Sequence, residues 1–98
     1  MSEALLYEFN GVTVEQYNAV NAALGLDPTT GAGDWPAGLL SHTGAGNDAG
    51  GVVVFEVWDA RASYDAFMTD RLGPALGQAG VPEPARVEWF SVWGQYTR

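Results

Sequence analysis

The stretch from Val52 to Trp58, Val-Val-Val-Phe-Glu-Val-Trp, is β-branched or aromatic throughout except for one glutamate. Such a run suits a central strand covered on both faces. Asp59 closes it. Beyond it Ala60, Tyr64, Phe67, Met68, Leu72, Ala75, Leu76 and Ala79 recur at three- and four-residue steps, the period of an amphipathic helix. The strand carries two different rows. Val53, Phe55 and Val57 are unbroken apolar and are expected to pack on the helices, whereas Val52, Val54, Glu56 and Trp58 set a carboxylate beside an indole. Burying a carboxylate without a partner is costly, so Glu56 marks a face that should look into a cavity, a polar network or water.

The rest of the chain arranges itself about this unit. Ala4 to Asn10 reads as a first strand, with Leu5, Tyr7 and Phe9 on its more apolar side. Thr13 and Gln16 fit a capping box, with Val12 and Tyr17 as its hydrophobic staple, so a helix starts there. Its apolar stripe is Val14, Tyr17, Val20 and Leu24, and Gly25 is placed to end it in the left-handed conformation. Asp27 to Pro36 has turn composition and predicts a surface loop, with Trp35 as a plug over the core edge or the dimer rim rather than a ligand platform. Gly38 to Thr43 predicts a short second strand, with Leu40 and His42 on one side and Leu39, Ser41 and Thr43 on the other. Gly44 to Gly51 is read as a hairpin loop. Its Gly-Ala-Gly start resembles a dinucleotide fingerprint only nominally, because that motif leads into a helix and this run leads into a strand.

Gly73-Pro74 is expected to stop the second helix near Leu72 and to start a short one at Pro74, since proline has no amide proton to continue the ladder. Ala85 to Thr97 predicts a last strand too apolar on both faces for solvent, with Phe90 and Val92 on one and Val87, Trp89 and Trp93 on the other.

Composition narrows the function classes. Twelve acidic residues against four arginines and no lysine give a net charge of −8, which argues against nucleic acid and anionic membrane as partners, because both need basic patches. No cysteine is present, so no disulfide framework, thiolate nucleophile or Cys-type metal site can form. No leader-like segment or long apolar span is evident, and the expectation is a cytoplasmic protein. A chain of 98 residues makes one domain, 1–98, near the small end of what folds alone.

Strand, helix, strand, strand, helix, strand in this order predicts an α+β, ferredoxin-like βαββαβ fold, a four-stranded antiparallel sheet with both helices on one face. The opposite face is expected to collect Leu6, Glu8, Asn10, Leu40, His42, Val54, Glu56, Trp58, Trp89, Ser91 and Trp93. Three indoles in one patch call for cover, and a second copy of the sheet is the economical one.

With Glu56-x-Trp58-Asp59 leading into a helix that carries Phe67, this layout resembles the dimeric α/β-barrel superfamily, in particular its antibiotic-biosynthesis-monooxygenase-like branch. The resemblance implies a homodimer whose paired sheets form a barrel that binds small, often aromatic molecules. It brings cofactor-free quinone-forming monooxygenases, polyketide cyclases and haem-degrading enzymes into view. The last departs from this chain, which has no histidine in the helical region after Trp58.

His42, the sole histidine, is the natural general base or acid, with Glu56 beside it as the second catalytic candidate. A hairpin tip near Asn47 and Asp48 would leave the two as diagonal neighbours, about 7 Å apart. Glu8 and Glu56 on adjacent strands could instead share a proton, or, as the more ordinary role, each could bind an arginine or backbone amide at the dimer rim. Glu8, Asn10, Leu40, Val54, Trp58, Trp89 and Trp93 are the expected substrate-binding lining. No metal site and no cofactor are expected, because one histidine and scattered carboxylates offer no ligand spacing. Three classes stay open: a cofactor-free monooxygenase or cyclase acting on an aromatic or polyketide-like substrate, a non-catalytic ligand-binding protein, and a structural dimer.

Overall fold

A computed structural model describes residues 2–96. β1 (Glu3–Phe9) leads through a turn into α1 (Val14–Leu24), then a small ribbon of β2 (Leu26–Asp27) and β3 (Ala32–Gly33). β4 (Leu39–Gly46) and β5 (Val52–Trp58) form a hairpin. Helix α2 (Arg61–Phe67), a π-helical turn (Met68–Leu72) and α3 (Gly73–Gln78) follow, before β6 (Arg86–Ser91). The four long strands make one antiparallel sheet in the order β4-β5-β1-β6, the ferredoxin-like arrangement.

The start of α1 follows the sequence logic. Thr13 accepts from the Gln16 amide while the Gln16 side chain accepts from the Thr13 amide, and Gly25 ends the helix at φ 73°. Its buried stripe differs by one member. Val14 is 62% exposed and Asn21 is buried in its place.

Gly73-Pro74 does not stop the second helix. The turn ahead of the proline widens instead, the Gly73 amide reaching the Met68 carbonyl, and helical backbone continues to Gln78. A π-turn of this kind absorbs the missing proline donor without breaking the rod. The last strand ends at Ser91 rather than near Thr97, which lies outside the described residues.

The sheet's faces are the main departure from the sequence reading. Leu5, Tyr7 and Phe9 do face the helices, but the row beside them on β5 is Val52, Val54, Glu56 and Trp58, since Leu5 pairs with Glu56 and Tyr7 with Val54. These residues join Tyr64, Phe67, Leu72 and Val20 in the core. Val53, Phe55 and Val57 lie on the other face with Leu6 and Phe90. Both rows of β5 are apolar enough for burial, so hydrophobicity did not choose between them. Polar partners for Glu56 did.

Candidate functional site

β4 and β5 pair so that His42 lies directly opposite Glu56, not diagonal to it. The hairpin tip is centred later than Asn47-Asp48. The strand runs through Gly46, and Asn47 closes the loop by accepting from the Ala49 and Gly51 amides while its own amide donates to Glu8. A register change between Leu39 and Ser41 keeps Leu39 facing the core while the rest of β4 stays in step.

The result is a short polar chain in an apolar surround. His42 Nδ1 lies 2.7 Å from Glu56 Oε2, and the Trp58 indole donates to Glu56 Oε1 at 3.1 Å. Carboxylate oxygens only accept, so the His42 proton sits on Nδ1 and Nε2 is free to accept. The Tyr17 hydroxyl, reaching down from α1, supplies that donor at 2.7 Å, with its ring stacked near the imidazole. The His42 and Glu56 side chains are 10% and 3% exposed, so this pairing is made away from bulk water.

Three tyrosines share this environment, and in each the neutral phenol is favoured. Burial foremost, then the Glu56 charge, Tyr64 and a hydrogen bond to Glu56, push Tyr7 well above the ordinary tyrosine value. Burial likewise raises Tyr17, opposed by the Asn21 amide and reinforced by Glu56. Burial and then Glu56 push Tyr64 up to about 12. Above pH ~10 the unfolded chain gives up tyrosine protons that the folded chain still holds. Stability is therefore expected to fall as the pH climbs from about 10 towards the Tyr64 value of about 12. Near-ultraviolet circular dichroism and phenolate absorbance followed together would show ionisation and unfolding coinciding, and Tyr64→Phe should make the decline shallower.

Gly44 makes room for Tyr17. A Cβ added at this strand position would fall on the Tyr17 hydroxyl and Cζ. Gly44→Ala is expected to lift the ring off His42 and, as an overpacking change of about 1–3 kcal/mol, to lower the melting temperature by several degrees. Unchanged His42 ring resonances in this variant would show that Tyr17 had found another way to stay.

Beside this chain lies a cavity between α1, the sheet and the π-turn, bounded by Tyr7, Tyr17, Asn21, Trp35, His42 and Glu56 together with apolar side chains. The space open to a water-sized sphere is about 50 Å³. Trp35 closes one side. Asp27 ties the intervening ribbon by accepting from the Thr29 amide and hydroxyl, which hold its carboxyl below the usual range, and the Trp35 indole donates to the Gly31 carbonyl. The Trp35 ring then rests 5.6 Å from the His42 ring. The segment read as a plain loop thus holds an ordered ribbon, and its tryptophan borders the cavity.

Of the expected site residues, the structure brings His42, Glu56 and Val54 to the cavity. Trp58 is fully buried one layer behind it, against Tyr64 and Phe67. Glu8 occupies the opposite sheet face from Glu56, so the two carboxylates do not meet. Asn10 is exposed in the turn after β1, and Leu40 is 54% exposed beside the register change. Trp89 packs on Tyr64 with the Arg61 guanidinium 5.1 Å from its ring, and Trp93 lies beyond β6, almost wholly exposed. The three indoles therefore form no common patch: Trp58 and Trp89 flank Tyr64 on the helix-facing side of the sheet, and Trp93 stands apart from them in solvent. Sequence reasoning missed Tyr7, Tyr17, Asn21 and Trp35. The spacing of Tyr17 and Asn21, one helical turn apart on the apolar stripe of α1, was the available signal.

Among the described residues, no three His, Cys, Asp or Glu side chains gather as a metal ion would require, and no helix is long and apolar enough to cross a membrane. The four-stranded antiparallel sheet in the order β4-β5-β1-β6, with its helices on one face, defines a ferredoxin-like α+β domain. Solved structures share this fold over nearly the whole chain. A candidate antibiotic biosynthesis monooxygenase of Chloroflexus aurantiacus matches with a TM-score of 0.68 at 16% identity, covering 99% of this chain and 98% of that one. SnoaB, a cofactor-independent oxygenase of Streptomyces nogalater, matches with a TM-score of 0.63 at 11% identity over 99% and 97%. The ActVA-Orf6 monooxygenase of Streptomyces coelicolor, in complex with nanaomycin D, matches with a TM-score of 0.55 at 20% identity over 99% and 90%. No protein-family model matches the chain, and neither does any curated protein.

Proposed function

We propose that this protein binds a small hydroxyaryl molecule in the cavity beneath its helices and oxygenates it with molecular oxygen, without a cofactor. The observation that carries this reading is the orientation of His42. Glu56 fixes its Nδ1 proton, and the basic Nε2 is presented, through the Tyr17 hydroxyl, at an apolar cavity. That arrangement suits removal of a phenolic proton. Nε2 takes the Tyr17 proton as Tyr17 takes the substrate's, and Glu56 stabilises the imidazolium. The electron-rich phenolate then reduces oxygen, which joins the ring carbon. Loss of water turns that C–H into C=O, so a phenol and O2 give a quinone and H2O, the substrate supplying all four electrons. The likeness in fold to a cofactor-independent oxygenase and to a monooxygenase holding nanaomycin D supports the same reading.

The test is oxygen uptake by the purified protein with a panel of one- and two-ring phenols, with heavy-isotope O2 to trace the product oxygen. Uptake matched by one labelled oxygen per quinone is the expected result. Saturable binding with no uptake for any phenol would leave a ligand-binding protein and remove the enzyme.

In this reading two copies pair through the open sheet face. Leu6, Val53, Phe55 and Phe90 lie together there, with Phe55 and Phe90 each more than 40% exposed in the single chain. Apolar faces of this kind mark interfaces. Sedimentation is expected to give twice the 10.4 kDa chain mass, and Phe55→Glu to give the single chain. A monomer at micromolar concentration in the unmodified protein would remove the dimer.

A further inference from the structure

Asn21 is the cavity residue for which the proton relay has no use. It follows Tyr17 by one helical turn, and both side chains border the cavity. Asn21 is only 7% exposed, and its amide nitrogen is buried with no hydrogen-bond partner among the described residues. An unpaired buried donor costs stability, whereas a leucine here would continue the apolar wall of Val20 and Leu24 without that cost. Fold alone does not explain an amide at this position. An acceptor on the cavity's occupant does.

We propose that Asn21 is a ligand-binding residue whose amide donates to a carbonyl oxygen, so that the cavity takes a single-ring hydroxyaryl ketone or quinone in preference to a plain phenol. The inference rests on the reading of the cavity as a hydroxyaryl site. Size limits the occupant to one ring at most, because about 50 Å³ open to a water-sized sphere is well below the roughly 150 Å³ that holds benzene, and a ring enters only as a wall side chain such as Trp35 moves aside. Polarity favours a carbonyl, because the phenolic hydroxyl is already matched by Tyr17 and His42. A second acceptor on the ligand then meets a donor that no group of the chain, the nearby Tyr17 hydroxyl included, meets in hydrogen-bond geometry.

The test compares meta-hydroxyacetophenone with meta-ethylphenol, which share ring and hydroxyl and differ by C=O against CH2. Binding is read from quenching of tryptophan emission, Trp35 bordering the cavity, and from the infrared carbonyl stretch of the bound ketone. The unmodified protein is expected to bind the ketone about tenfold more tightly, the scale of one neutral hydrogen bond, with its carbonyl stretch moved to lower wavenumber. Asn21→Leu should lose both the preference and the shift, still bind meta-ethylphenol, and melt at a higher temperature. Equal affinity for the two compounds in the unmodified protein, or a preference that survives in Asn21→Leu, would overturn this inference alone. Failure of the unmodified protein to bind either compound would overturn it, and failure to bind any one- or two-ring phenol would overturn the proposed function with it.

Discussion

Glu56→Gln is expected to lower turnover of a phenolic substrate by roughly a hundred- to ten-thousandfold while leaving the fold intact. The reason lies in donor counting. The carboxylate accepts from Trp58 on one oxygen and from His42 on the other, with the Tyr7 hydroxyl as a further neighbour on it. A glutamine has one acceptor and one donor group, and the indole can only donate, so the amide oxygen must stay with Trp58 and the NH2 must face His42. Nδ1 then becomes the acceptor and the proton moves to Nε2, where it confronts Tyr17 in place of a lone pair. The base is switched off without removing a ring or opening a hole. Oxygen uptake gives the rate, and thermal melting shows whether the protein remains folded. A variant that keeps full activity would mean that His42 takes no proton in the reaction.

Trp58→Ala should have the largest effect on stability. The residue is fully buried between Tyr64 and Phe67, and truncating a buried tryptophan costs about 3–5 kcal/mol, a large part of the roughly 5–15 kcal/mol that holds such a domain together. Glu56 would also lose the donor on its Oε1. Trp58→Phe separates the two contributions, since it keeps most of the packing and removes only the N–H, at about 1–3 kcal/mol. Urea unfolding with unchanged slopes measures both. A loss of less than about 2 kcal/mol in the alanine variant would mean that the surrounding core closes over the gap.

Much of the architecture was legible. The period change at Asp59, the capping box at Thr13 and Gln16, and the glycine at the end of α1 are local signals that tertiary packing has no reason to override. The facing of β5 was not legible, because its two rows are almost equally apolar and only residues distant in sequence, His42 and Tyr17, make the Glu56 row the better one to bury. The same gap hid the direct pairing of His42 with Glu56. It depends on the exact centre of a glycine-rich turn, where a shift of one or two positions moves a partner by a strand rung. Asn21 went unread for another reason. Polar residues on a helix are assigned to solvent by default, and only the enclosed space beneath α1 shows that this one points inward.

The burial of the Glu56 row beneath the helices has a stoichiometric consequence. Each chain lines its cavity with its own sheet, its own α1 and its own helical segment after β5, on the face away from the proposed dimer seam. In a dimer the two sites would work as independent units, giving a Hill coefficient of about one. An assembly mixing active and disabled chains would retain activity in direct proportion to its active chains.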